Sequence, residues 1–159
     1  MAGARTPATT ALRRAGLVFR THPYDAGGDP AGWGAAAAAA LGLDPARVFK
    51  TLVAAVDDAG PLLAVVPVAG SLDLKALAAV RGGKRATMVP PADAERITGY
   101  VTGGIAPLGT RRRLAVLVDR SALDFATVFC SAGRRGLQLE LSPGDLVETA
   151  GAVVADLRA

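Results

Sequence analysis

The sequence predicts an α+β domain built around a mixed, mostly antiparallel sheet. Three observations carry this. Strand-like and helix-like segments are interspersed without a regular βαβ rhythm. Two apolar runs, KTLVAAV and LLAVVPV, flank the turn signal DDAG and read as a hairpin. No linker or internal repeat divides the 159 residues, so residues 1–159 read as a single domain. A chain of this length buries roughly 68–70% of its unfolded surface. Apolar residues make up 51% and aromatic residues only 4%, so the core must come mainly from Ala, Val and Leu.

The elements follow in order. RTPATTALRRAG is a helix capped by Thr6, with Pro7 in its first turn and Gly16 past its end. LVFRTHPYD is a strand broken at Pro23, and AGGDPAGWG is a loop. WGAAAAAALGL is helical because alanine has the best helix propensity. DPARVF makes a short turn with Asp44 as cap and Pro45 after it. After the hairpin, SLDLKALAAV is a helix capped by Ser71, ATMV a brief strand, and PPADAERI a helix opening on Pro91. GYVTGGIAPLGT is irregular, and RRRLAVLVD opens a strand. ATVFCSA and LQLEL flank the turn GRRG, SPGDLVETAG is a capped helix, and AVVADL a last strand.

Composition narrows the function classes. No run of 18 apolar residues appears, so no membrane span is expected. No signal-peptide core precedes the first helix, and the single cysteine, Cys130, excludes an internal disulfide; both point to the cytoplasm. A net charge of +4 favours an anionic partner, nucleic acid among them, although no DNA recognition-helix pattern stands out. One histidine and one cysteine, far apart in the chain, argue against a metal site.

Few residues suggest chemistry on their own. His22, before Pro23, reads as a strand-end residue rather than the base of a triad, and Cys130 as a buried small hydrophobe. GYVTGGIAPLG lacks the lysine and spacing of a P-loop. Gly103 and Gly104 fit either an ordinary turn or a backbone that approaches a ligand closely. Arg111, Arg112 and Arg113, with Arg134 and Arg135, form two clusters beside turns, suited to phosphates or to a solvated face. Tyr24 and Trp33 suit base stacking, a pocket wall or core packing. Lys50 is one of three lysines against fifteen arginines, and it stands at the mouth of an apolar run. Locally it reads as a strand-edge lysine whose ammonium reaches water.

Five segments in order change that reading. TPA, HPYD, ALGLDPARVFKTL, GYVTGGIAPLG and FCSAGRRGLQLEL together resemble the YbaK family of aminoacyl-tRNA editing proteins, the bacterial Cys-tRNA(Pro) deacylases, from about Thr6 to Asp156. The resemblance implies a barrel-like sheet surrounded by helices, close to the editing domain of bacterial prolyl-tRNA synthetases. It implies a catalytic Lys50, a pocket tyrosine at Tyr24, a pocket wall at Gly103 and Gly104, and a pocket serine at Ser131. The chain departs from the family pattern at Ala106, where GGISPLG has serine, and at Ala132, where SGGKRG has its first glycine. Alanines 35–40 also replace a helix that commonly carries acids.

The activity the resemblance implies is trans-editing: cleavage of the ester that joins a wrong amino acid to a tRNA, Cys-tRNA(Pro) first among candidates, with the substrate cysteine's own thiol assisting. No cofactor is implied. The implied partner is tRNA, with prolyl-tRNA synthetase as a further candidate. A deacylase for another mischarged tRNA such as Ala-tRNA(Pro), or a non-catalytic tRNA- or synthetase-binding module, are the alternatives.

Overall fold

The computed structural model describes residues 4–25 and 33–159. Residues 26–32 of the expected loop and the Trp33 side chain lie outside the described residues. The chain runs α1 (Pro7–Arg14), β1 (Arg20–Pro23), α2 (Trp33–Leu41), β2 (Phe49–Val56), β3 (Pro61–Pro67), α3 (Leu74–Val80), β4 (Ala86–Met88), α4 (Pro91–Thr98), β5 (Ala115–Asp119), β6 (Val128–Ser131), β7 (Leu137–Leu141), α5 (Pro143–Ala150) and β8 (Val153–Ala155), with a 3-10 turn at Arg120–Asp124. No described helix is long and apolar enough to cross a membrane.

The strands form two sheets, β1-β7-β6 and β4-β2-β3-β5-β8. All pairs in the first are antiparallel. In the second, β2 pairs antiparallel with β3 and β4, whereas β3–β5 and β5–β8 are parallel. The α+β class and the mixed sheet agree with the sequence, but no closed barrel forms among the described strands. Among the described residues the sheets are joined by a parallel bridge, Val48 to Phe129, where the Phe129 N–H donates to the Arg47 carbonyl at 3.1 Å.

Burial explains the strand sequences. β3 is covered on both faces: Leu63 and Val65 enter the main core, and Leu62, Ala64 and Val66 enter a second cluster under α3. A strand buried on both faces reads as a continuous apolar run, as LLAVVP does. β7 instead alternates. Leu137, Leu139 and Leu141 enter the main core, and Gln138 and Glu140 take the opposite face.

Two boundaries differ from the sequence reading. The cap of α3 is Asp73, whose carboxylate accepts from the Lys75 and Ala76 N–H groups, rather than Ser71. Leu72 is held extended by a bridge to Arg158, so the helix cannot begin earlier. The strand expected at RRRLAVLVD starts only at Ala115; exposed Arg111, Arg112 and Arg113 precede it. Thr6 caps α1 through a reciprocal pair of bonds with Thr9, and Ser142 caps α5, as their sequences suggest.

Candidate active site

A cavity of about 490 Å³ lies beside β2, lined by every residue from Val48 to Val53. The reason is an uncovered strand edge. β4 pairs with β2 only over Ala54–Val56, and on the same side β6 is bridged to the chain at Val48, just before β2. No described strand covers that edge between those two contacts. Hydrogen-bond alternation fixes what faces the gap. Val48 offers its carbonyl to Val68 on the β3 side, and Val53 offers its own to Val89 on the other side, so Thr51 directs its backbone toward the gap.

Lys50 and Thr51 are adjacent, so their side chains leave opposite faces of β2. Both still line the cavity because it follows the strand edge. Gly34 and Ala35 at the start of α2, with Val68, wall the Lys50 side. Pro91 and Ala94 of α4, with Thr102, Gly103 and Ile105, wall the other. Tyr24, Ser131 and Gln138 also contribute to the lining.

Lys50 is the only charged residue among the described lining residues. Val48 on its own face packs with Phe129 and Ala38, and Leu52 packs against the second apolar cluster. The lysine stem is thus flanked by packed apolar groups, and among the described residues its ammonium makes no ion pair or hydrogen bond. Ser131 lines the cavity with its hydroxyl oxygen already accepting from the Gly133 N–H at 3.2 Å, which leaves its proton free to donate. Tyr24 is fixed at the end of β1 by its N–H, which donates to the Gly136 carbonyl at 2.9 Å.

The two glycines play different parts. Gly103 lines the cavity with φ of 86°, a conformation that favours glycine. Gly104 is buried, and its N–H donates to the Val101 carbonyl at 2.8 Å. A Cβ there would come within 2.8 Å of the Arg134 and Arg135 backbone. Gly104 therefore lets the β6–β7 turn press against this loop, while Gly103 faces the cavity. Neither Ala106 nor Ala132 lines it; both are fully buried in the main core, so the departure at Ala106 takes no hydroxyl from the cavity wall.

The arginines flank the same loop. Arg135 Nε donates to the Thr102 carbonyl at 2.8 Å, and Arg134 is exposed beside it. Arg111 packs by Gly99, and its N–H donates to the Thr98 carbonyl at 2.8 Å. Away from the cavity, His22 Nε2 lies 2.8 Å from Glu140 Oε1. Burial disfavours charge on Glu140, but bonds from Thr127 and His22 and the nearby His22 and Arg47 charges outweigh it and hold its pKa below the ordinary value. Cys130 is fully buried, and desolvation pushes its thiol up to about 12, which removes it as a nucleophile. No described cluster of His, Cys, Asp or Glu is suited to a metal ion.

Sequence reasoning missed Thr51, Thr102 and Gln138, all of which line the cavity. A glutamine between leucines in LQLEL was a readable sign, since a polar residue so placed must face something other than bulk core.

Residues 31–149 match the aminoacyl-tRNA editing domain family. The chain belongs to that family. A relative from Enterococcus faecalis, named EbsC and described as a candidate Cys-tRNA(Pro)/Cys-tRNA(Cys) deacylase, is 40% identical over 106 residues. The match covers 67% of this chain and 65% of that relative. Among solved structures, a candidate trans-editing enzyme for prolyl-tRNA synthetase superposes with a TM-score of 0.84 at 26% identity, covering 99% of both chains. The hypothetical protein APE2540 gives a TM-score of 0.87 at 28% identity over 97% of this chain and all of that one. The editing-domain fold thus extends over nearly the whole chain.

Proposed function

We propose that this editing domain is a trans-acting aminoacyl-tRNA deacylase of the cytoplasm, with Cys-tRNA(Pro) as its foremost substrate. The observation that carries the reading is Lys50: an unpaired ammonium, the sole described charge in a cavity of about 490 Å³. An aminoacyl ester is already activated, so orientation and stabilisation of the developing oxyanion suffice. Lys50 binds the ester carbonyl and stabilises its negative charge. Gly103 lets the backbone approach the ribose end, with Gly104 holding the loop in place, and Tyr24 and Ser131 close the pocket. Among its described lining residues the cavity lacks a protein nucleophile paired with a base, which suits attack by the substrate's own thiol. The thiol gives up its proton as its sulfur bonds to the carbonyl carbon, the ester C–O bond breaks, the ribose oxygen takes up a proton, and a thiolactone leaves. Arg111, Arg112, Arg113, Arg134 and Arg135 contact tRNA phosphates, and prolyl-tRNA synthetase supplies tRNA identity as a partner.

The test is a panel of charged tRNAs with Lys50→Ala and Lys50→Arg. Loss of an oxyanion donor costs on the order of 100- to 1000-fold in kcat. Unchanged activity in Lys50→Ala removes the lysine from the mechanism. Arginine keeps the charge but changes the donor geometry, so it separates the two contributions. Equal rates on Ser-tRNA and Cys-tRNA would refute attack by the thiol.

A further inference from the structure

Buried Thr51 Oγ1 and Gln138 Oε1 have no hydrogen-bond partner among the described residues. Both residues line the cavity. A buried polar atom left unpaired costs about 1–3 kcal/mol, so two within the cavity lining point to a ligand that pairs with them. Gln138 is the strictest case, at 5% exposure.

Each of these groups sits on a fixed backbone. Gln138 occupies the central strand of its sheet, opposite His22 on one side and Ser131 on the other. Thr102 is clamped twice: its N–H donates to Glu95 Oε2 at 2.7 Å, and its carbonyl accepts from Arg135 at 2.8 Å. Backbone and side-chain bonds from Thr102 hold the Glu95 carboxyl below its usual pKa, so the Thr102 hydroxyl is engaged with Glu95. Thr51 lies in β2 at the uncovered edge.

We infer that Gln138, supported by the Thr51 hydroxyl, binds the α-amino group of the aminoacyl ester. This rests on the deacylase reading. An orphaned carbonyl oxygen needs a donor, and the aminoacyl-adenosine end of a tRNA offers the α-ammonium, a ribose hydroxyl and the adenine amine. Burial selects among them. The nucleoside is tethered to the tRNA body and must stay toward the mouth, whereas Gln138 is almost wholly enclosed. No carboxylate lines the cavity among the described residues, so neutral acceptors are the groups that receive the ammonium. A turn about the last torsion of Gln138 exchanges its oxygen and nitrogen, so the amide adapts without backbone movement.

The test uses two stable analogues: 3′-deoxyadenosine carrying cysteine through a 3′-amide, and its deamino counterpart with hydrogen in place of the α-ammonium. Dissociation constants are measured for wild type, Gln138→Met and Gln138→Glu. Wild type should bind the aminated analogue roughly ten- to hundredfold more tightly, the range for a hydrogen bond to a charged group. Gln138→Met should lose that preference while binding the deamino analogue as wild type does. Gln138→Glu, which keeps an acceptor, should retain it. Equal wild-type affinity for both analogues, unchanged discrimination in Gln138→Met, or no binding of either overturns the inference. The charged-tRNA panel judges the deacylase reading independently, since deacylation without discrimination at the amino group leaves that reading standing.

Discussion

Replacing Gly104 by alanine tests whether the cavity loop depends on the β6–β7 turn. The added Cβ would meet Arg134 Cα, Arg134 C and Arg135 N at 2.8 Å, about 0.6 Å short of ordinary contact. These are backbone atoms, so no side-chain rotation relieves the clash. The turn must retreat, and overpacking of this kind costs roughly 1–3 kcal/mol. In a domain of this size each kcal/mol lowers Tm by about 2–4 °C, so the expected drop is roughly 2–12 °C. Retreat also pulls Arg135 from the Thr102 carbonyl, so kcat/KM should fall although Lys50 is untouched. Gly144→Ala is the control: it meets nothing within 4 Å and sits in α5, where alanine gains up to about 1 kcal/mol over glycine. Thermal unfolding and deacylation of all three proteins form the assay. A Gly104→Ala protein that unfolds within about 1 °C of wild type would refute the argument.

Other perturbations reach separate parts of the molecule. Tyr100→Phe removes the donor to the Leu108 carbonyl, a buried bond of 2.6 Å, and should cost about 1–3 kcal/mol in urea unfolding. Asp119 is buried, which opposes ionisation, yet bonds from Ser121 and the Leu157 N–H and the Arg158 charge hold its pKa below the ordinary value. A lowered folded pKa gives stability that is present above the unfolded value of about 3.9 and is lost as pH falls through the folded value. The stability gap between wild type and Asp119→Asn should therefore be widest near neutrality and narrow below about pH 4. Replacing Arg111, Arg112 and Arg113 by alanine should weaken tRNA binding and flatten its salt dependence, by about 0.7–0.9 in the log–log slope for each lost phosphate contact; an unchanged slope would separate these arginines from the tRNA.

Local signals recovered most elements of the fold. Thr6 before Pro7, Ser142 before Pro143 and Gly151 after α5 mark helix ends through interactions a few residues long. LLAVVPV and LQLEL carry their burial patterns directly. The parallel pairing of β5 with β3 and β8 was not legible, because it joins segments distant in the chain with no turn between them. The cap at Asp73 was obscured for a similar reason: the tail of the chain, through Arg158, decides where the helix begins. In the site, Lys50, Tyr24, Gly103 and Ser131 were named from family resemblance, and all four line the cavity. Local sequence alone gave Lys50 as a strand-edge residue. Gly104 required the approach of a second turn to be understood. Thr51 and Gln138 stayed hidden because an unpaired atom is recognised only when its surroundings are known, and Thr102 because the fold of its loop brings it to the cavity.

The short reach of β4 along β2 has a consequence for solution behaviour. Uncovered strand edges invite pairing with other chains and are a common origin of aggregates. Here the opening lies in a recess between α2, α4 and the Ser131–Gln138 wall rather than on the outer rim of a sheet. A compact ligand can enter such a recess, while an extended strand of another molecule meets its walls first. Widening the recess for bulkier ligands, by trimming α2 or α4, would expose that edge, so solubility would set a limit on how far the cavity can be enlarged.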